Sequence, residues 1–241
     1  GRGGPQRTWA LLMAAAASLS GAAPAHAGAS EPVRITVPRL SAAPRLDDFE
    51  GMRPHGVALE MSRASDLTDR LPRDGVVTTE PTDVYFGYDD KSLHAVFVCF
   101  DREPSQIRAH FGGRDHVPDA EDSVALQIDT FRDRKHAYGF QANALGVQQD
   151  GIWTEGKGWD LSFDTVWHTE SRLTNTGYIV FLSVPFKSLR FSHEDLQSWG
   201  LLVFRGIARK NEQGFWPAYS TGVAGRMNQA AVMDGLEHVS P

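Results

Sequence analysis

The segment Ser123-Val124-Ala125-Leu126-Gln127-Ile128-Asp129 places Val124, Leu126 and Ile128 on one face, with Gln127 and Ala125 on the other. A period of two marks a strand with one face packed on a core. The same signal recurs outward from it. Residues 137–142 read as a second strand, Asn143-Ala144-Leu145-Gly146 as a turn, and residues 147–149 as the continuation of a meander. Upstream, Val33-Arg34-Ile35-Thr36-Val37 alternates and stops at Pro38. Residues 83–88 stop at Asp89-Asp90-Lys91-Ser92, a hairpin turn leading into the apolar run 93–100. Downstream, strands are expected over 165–172 and 177–184, joined by Leu173-Thr174-Asn175-Thr176, and over 199–208. Only residues 45–52 and Pro185-Phe186-Lys187-Ser188-Leu189 suggest short helical turns. Nine or ten short strands with few short helices spell an all-β sandwich.

The N-terminus has the three parts of a secretory signal peptide. Arg2 and Arg7 are basic, residues 9–23 are apolar or small, and Ala25-His26-Ala27 is an A-x-A cleavage site. The apolar stretch falls short of the roughly 20 residues that span a bilayer. Residues 1–27 are therefore expected to be removed, and residues 28–241 to form one domain working in the periplasm, at the cell surface or outside the cell. The lone Cys99 excludes a disulfide framework and reads as a small buried hydrophobe within Ala95-Val96-Phe97-Val98-Cys99-Phe100. The chain starts without Met and stops at Pro241 without a recognisable terminal element, which suggests a piece of a longer protein.

Charge narrows the function. Asp+Glu 30 against Lys+Arg 24 gives a net charge of −6, which argues against a nucleic-acid partner. The acids Asp119, Glu121, Asp122 and Asp129, with Asp115 and Asp133 nearby, sit in and beyond a loop before a strand. Such loops supply the oxygen ligands that Ca²⁺ needs, so these four are candidate ligands. The competing reading is a solvated acidic loop paired with Arg114, Arg132 and Arg134. There is no H-E-x-x-H, G-x-S-x-G or glycine-rich phosphate loop. Met52, Met61, Met227 and Met233 could serve a haem with a histidine, but no spacing singles one out. Glu155 and Asp160 are an available carboxylate pair for glycoside hydrolysis, without a signal that they face each other.

Five of the six tryptophans lie beyond residue 150. Trp153 and Trp159 fall in the glycine-rich stretch Gly151-Ile152-Trp153-Thr154-Glu155-Gly156-Lys157-Gly158-Trp159-Asp160, which reads as an exposed loop. An exposed indole is an apolar surface awaiting a partner. The C–H face of a pyranose stacks on an indole while its hydroxyls take hydrogen bonds. Trp153, Trp159 and Trp216, with Arg114, Gln141, Asn143, Gln149, Arg209 and Glu212, are the candidate saccharide site. Trp167, expected on a strand, and Trp199 read as core.

Several short motifs follow one another in order. Pro44-Arg45-Leu46-Asp47-Asp48 looks like an opening P-x-L-D-G, and Thr82–Leu93 like a first strand pair. Glu121-Asp122-Ser123-Val124 with Leu126 and Asp129 looks like D-D-x-V-x-V-x-x-D. Tyr138-Gly139-Phe140-Gln141-Ala142-Asn143 with Gly146 looks like Y-x-F-x-x-N-x-x-G. Gly177-Tyr178, Val184-Pro185-Phe186 and Leu189-Arg190-Phe191 look like G-W-x-x-E-x-x-I-P-F with L-R-F. Trp199-Gly200, Arg205, Arg209, Glu212 and Trp216 match closing strands. In this order they resemble the family 9 carbohydrate-binding modules and their DOMON-like relatives. The nearer resemblance is to the version at the N-terminus of bacterial envelope proteins, ahead of an outer-membrane-type β-barrel. Two departures stand out: Tyr178-Ile179-Val180-Phe181 lacks the acid of W-x-x-E, and residues 53–80 show no clear early strand. The resemblance implies a jelly-roll sandwich, a structural Ca²⁺ as the candidate cofactor, a saccharide ligand on loops or a concave face, a β-barrel partner, and no catalysis. The competing roles are a plug or accessory domain of the barrel, a haem-binding redox domain and a hydrolase.

Overall fold

The computed structural model describes residues 31–240. The expected signal peptide lies outside them. β1 (Arg34–Thr36), β2 (Ser62–Ala64), β3 (Thr68–Leu71), β4 (Thr82–Tyr88) and β5 (Ser92–Phe100) precede β6 (Ser123–Asp129). β7 (His136–Asn143), β8 (Gln148–Thr154), β9 (Gly158–Asp160), β10 (His168–Thr174), β11 (Gly177–Pro185), β12 (Leu196–Ile207), β13 (Glu212–Trp216) and β14 (Ala231–Glu237) follow. The larger sheet runs β1-β14-β12-β6-β7-β8-β9, with β13 on the C-terminal half of β12 and β3 on β13. The smaller runs β10-β11-β5-β4-β2. Except for the parallel β1–β14 pair, all strand pairings are antiparallel.

The alternation in β6 does what its period requires. Val124, Leu126 and Ile128 join Phe140, Leu201 and Val203 of the larger sheet in one buried cluster, facing Phe86, Phe97 and Val180 of the smaller. The opposite face of the smaller sheet is also covered. Tyr85, Val96, Val98, Ile179 and Phe181 pack under Leu46, Phe49, Met52, Ala58 and Met61 from the chain segment before β2. This is why residues 93–100 read as a continuous apolar run: a strand buried on both faces has no polar side to alternate with. The outer face of the larger sheet carries Gln127, Gln141 and Gln149.

A polar clasp joins the sheets. Arg205, on β12, is wholly buried. It donates to Pro81 O (2.9 Å), Thr82 Oγ1 (2.7 Å) and Phe100 O (2.8 Å) at the ends of β4 and β5. Next to it, Arg209 donates to Asp101 (2.6 and 2.8 Å) and to Glu80 (3.2 Å), while Lys210 and Arg102 close on the same Glu80 carboxylate.

Some expectations are met and others are corrected. The described residues form fourteen strands because three- and four-residue pieces pair too, including β2 and β3 within the stretch that gave no strand signal. The strand expected at 165–172 begins pairing only at His168; Trp167 precedes it yet is buried, its Nε1 donating to Asp150 (3.1 Å). The helical turns at 45–52 and 185–189 are 3₁₀ segments, Leu46–Met52 and Phe186–Ser188. Cys99 is buried, and desolvation pushes its thiol up to about 11.

Burial alone would raise the Glu80 carboxyl, but hydrogen bonds from Lys210 and Arg102 outweigh it and hold it below its ordinary value. A folded pKa below the unfolded one, about 4.3, gives stability that is present above that pH and lost as pH falls through the folded value. Urea unfolding of the wild type and Glu80→Gln should therefore differ at pH 7 by about 2 kcal/mol, in favour of the wild type, with the gap closing below about pH 4.

Candidate functional site

The register of the larger sheet assembles a cleft on its outer face. Ala125 pairs with Gln141 and Phe204, and Gln141 with Gln149; one position along, Gln127 pairs with Gly139, and Gly139 with Gly151. The cleft is about 300 Å³. Glutamines floor it, Trp159 and Leu161 form one wall, and Phe204, Phe215 and Tyr219 the other.

The stretch expected as an exposed loop is a β-hairpin. β8 and β9 pair Trp153 directly with Trp159, and their rings meet edge to face at 5.5 Å. Two glycines make room for them. A Cβ on Gly139 would stand 2.4 Å from Trp159 Cζ3, and one on Gly151 would stand 3.0 Å from Asp160 O and 3.1 Å from Leu161 Cδ2, crowding the strand that carries the indole. Glycine inside a strand commonly marks such a close approach. Trp159 remains 38% exposed, whereas Trp153 is half-buried.

The reason is Arg226, from the connection between β13 and β14. Its guanidinium lies 5.0 Å from the Trp153 ring centroid, 5.6 Å from Trp159, 5.5 Å from Phe215 and 5.1 Å from Tyr219. Its Nε donates to Gln127 Oε1 (2.8 Å), and its backbone N–H to Glu155 (3.1 Å). A cation over ring faces gains from their quadrupoles, more so when desolvated. Burial pulls its pKa down from the usual arginine value, but a guanidinium stays charged at working pH.

Of the residues expected to bind saccharide, Trp159 and Gln141 line the cleft, Gln149 does too, and Trp153 supports Trp159 from behind the arginine. The others are corrected. Trp216 packs against the core between the sheets. Arg114 pairs with Asp150 (2.9 Å) and Asp164 (3.0 Å), tying β8 to the chain before β10. Asn143 is buried and fixes its own turn, accepting from Leu145 N and Val147 N and donating to Glu121 (2.7 Å). Arg209 belongs to the clasp with Glu80 and Asp101, and Glu212 accepts from Thr79 N (3.0 Å). Arg70, Gln127, Phe204, Phe215, Tyr219 and Arg226 were not foreseen. The glycine pair Gly139 and Gly151 was the available signal.

The four acids expected to hold Ca²⁺ are dispersed. Asp119 lines the cleft. Glu121 holds Asn143 and His110, Asp122 accepts from Arg108 N (2.8 Å), and Asp129 accepts from Arg134 N (2.8 Å) and Phe131 N (3.2 Å) in the turn after β6. Among the described residues no three His, Cys, Asp or Glu side chains are grouped to hold a metal. This donor set does not fit the ion. Glu155 accepts from Trp153 Nε1 and from Arg226 N of the β13–β14 connection, while Asp160 accepts from Ser162 in its own turn.

By sequence, no family model and no curated protein matches the chain. Solved structures do match by shape. One is a carbohydrate-binding protein assigned as such provisionally, from Bacteroides uniformis ATCC 8492, at 8% identity and TM-score 0.65, covering 84% of this chain and 99% of that one. The chain has the fold of a family 9 carbohydrate-binding module. Two structures of such a module from Caldicellulosiruptor kristjanssonii carry that comparison. The one with cellotriose matches at 13% identity and TM-score 0.55, over 83% of this chain and 92% of that one. The one with glucose matches at 12% identity and TM-score 0.56, over 83% and 94%. At these identities the likeness is one of fold.

Gly139→Ala should displace the Trp159 indole, because a methyl at 2.4 Å is too close for any real contact. The ring is at a sheet edge and can swing out, so stability should change by about 1 kcal/mol or less. Loss of the coupled Trp153–Trp159 signal in near-ultraviolet circular dichroism, with unfolding nearly unchanged, is the expected result.

Proposed function

We propose that this domain binds saccharides without transforming them, in the cleft on the outer face of the larger sheet. The observation that carries the reading is Trp159, held part-exposed over Gly139 at the edge of a floor of glutamines. The indole offers an apolar platform for the C–H face of a pyranose. Gln141 Nε2 donates to Ser123 Oγ and Gln149 Oε1 accepts from Val117 N, and the remaining amide donors and lone pairs of these two side chains suit hydroxyls, which are both donors and acceptors. The fold shared with modules solved with cellotriose and glucose supports the same ligand class.

The acids at the cleft support a binding role over a hydrolytic one. Asp150 is committed to Arg114 Nη2, Trp167 Nε1 and Thr165 N, which leaves Asp119 without an evident carboxylate partner across the cleft. Glycoside hydrolysis uses two facing carboxyl groups. Titration with a broad panel of mono- and oligosaccharides, followed by tryptophan fluorescence, should saturate for at least one. Trp159→Ala should weaken that ligand at least tenfold, about 1.4 kcal/mol. Silence across the panel at millimolar concentration overturns the reading.

We also infer export to the envelope, where the domain would stand beside an outer-membrane β-barrel partner. The n-region, apolar stretch and Ala25-His26-Ala27 motif support it. Expressed with its leader in a Gram-negative host, the protein should be recovered outside the cytoplasm with Gly28 as its first residue by intact-mass measurement. Cytoplasmic protein that keeps Arg2 and Arg7 would contradict it.

A further inference from the structure

The cleft holds two arginines, and neither has an acidic partner within ion-pair distance among the described residues. Arg226 and Arg70 both line it, and both guanidiniums lie against the same ring: Arg70 is 4.9 Å and Arg226 5.1 Å from the Tyr219 centroid. Arg70 Nε is buried and has no hydrogen-bond partner. Several other arginines do have an acidic partner, although the buried Arg205 meets carbonyls and a hydroxyl instead. Arg63, Arg73, Arg102, Arg114, Arg172 and Arg209 each pair with a carboxylate. The acids near the two cleft arginines are engaged otherwise. Asp74 is held by Ser220 and Thr221, and Glu155 accepts from Trp153 and from the Arg226 backbone. The lining itself holds two acids: Asp150, taken by Arg114, and Asp119, which is exposed to solvent.

Two like charges drawn into one sheltered cleft repel and lose hydration. A protein with a net charge of −6 has acids to spare, yet none is placed to neutralise this pair. An anion from outside would satisfy both arginines and the orphaned Nε together. Guanidinium groups match carboxylates through paired, charge-assisted hydrogen bonds. A hexuronic acid carries its carboxylate at the edge of the pyranose, so a ring resting on Trp159 can still present that group sideways.

We propose that the saccharide is acidic: a uronic-acid residue whose carboxylate is received by Arg70 and Arg226 while its ring lies on Trp159. This deepens the saccharide-binding reading and rests on it. Three ligands of equal length separate the outcomes in calorimetric titrations at about 50 and 500 mM salt: a uronic-acid oligomer, its neutral hexose counterpart and a sulfated neutral oligomer. The uronic-acid oligomer should bind at least tenfold tighter than the neutral one, with the margin shrinking in high salt. Arg70→Gln should weaken the uronic-acid oligomer several-fold more than the neutral one. Arg226→Lys keeps a cation in the aromatic box and guards against misfolding; it should lose part of the preference because an ammonium cannot form the paired bonds. Thermal unfolding of each variant checks the fold. Neutral binding as tight as acidic binding overturns this inference and leaves the saccharide reading standing. Tighter binding of the sulfated oligomer overturns the carboxylate assignment. No binding of any saccharide overturns both.

Discussion

The Arg205 guanidinium has no access to water, and four oxygens receive it: the carbonyls of Glu80, Pro81 and Phe100 and the Thr82 hydroxyl. A buried cation of this kind is costly to desolvate, and hydrogen bonds to its donors offset that cost. Both Nη groups are met at the start of β4 and the end of β5, Nε has no partner, and the arginine itself stands on β12. The position of one sheet's end against the other is thereby specified, which apolar packing alone leaves loose. Apolar contacts supply the driving force across the sandwich; the clasp fixes where the sheets meet.

With that end fixed, the two sheets divide the work. The smaller sheet is packed on both faces, between the central core and the segment carrying Leu46, Phe49 and Met61. It cannot offer a binding surface without unpacking. The larger sheet is covered only in part on its outer face: Ala125 and Gln127 of β6 are buried there, while Gln141 of β7 and Gln149 of β8 are half-buried and line the cleft. The cleft forms there because Gly139 and Gly151 let the β8–β9 hairpin lay an indole across the strands, where side chains would otherwise stand in the way.

The layers were legible in the sequence because burial writes itself into the pattern. Val124, Leu126 and Ile128 alternate since one side of β6 is polar, and residues 93–100 do not since both sides of β5 are buried. β2, β3 and β9 escaped notice because three or four residues are too few to show a period. Trp159 and Gln141 could be named from residue type. Arg209, Glu212, Asn143 and Arg114 carry the same chemistry, but their partners Glu80 and Asp101, Thr79, Glu121 and Asp150 come from other parts of the chain. Residue type says what a side chain can bind; only the fold decides whether a neighbour has already taken it. Arg226 is the converse case, since no local pattern announces a cation that four rings from β8, β9, β13 and the following connection surround.

On the proposed reading, that arginine also decides how many indoles a saccharide can use. Trp153 has Arg226 at 5.0 Å over its ring, and reaching that face would require lifting a cation from four aromatic contacts and from Gln127. Each such contact is worth about 0.5–1 kcal/mol when exposed and more when sheltered. A neutral sugar returns little for that displacement. Trp159 keeps its exposed surface without moving anything. The site is therefore built around one open platform, with the second indole spent on holding the arginine. A cation fixed beside that platform can add to binding only through a ligand that brings charge or hydroxyls to it.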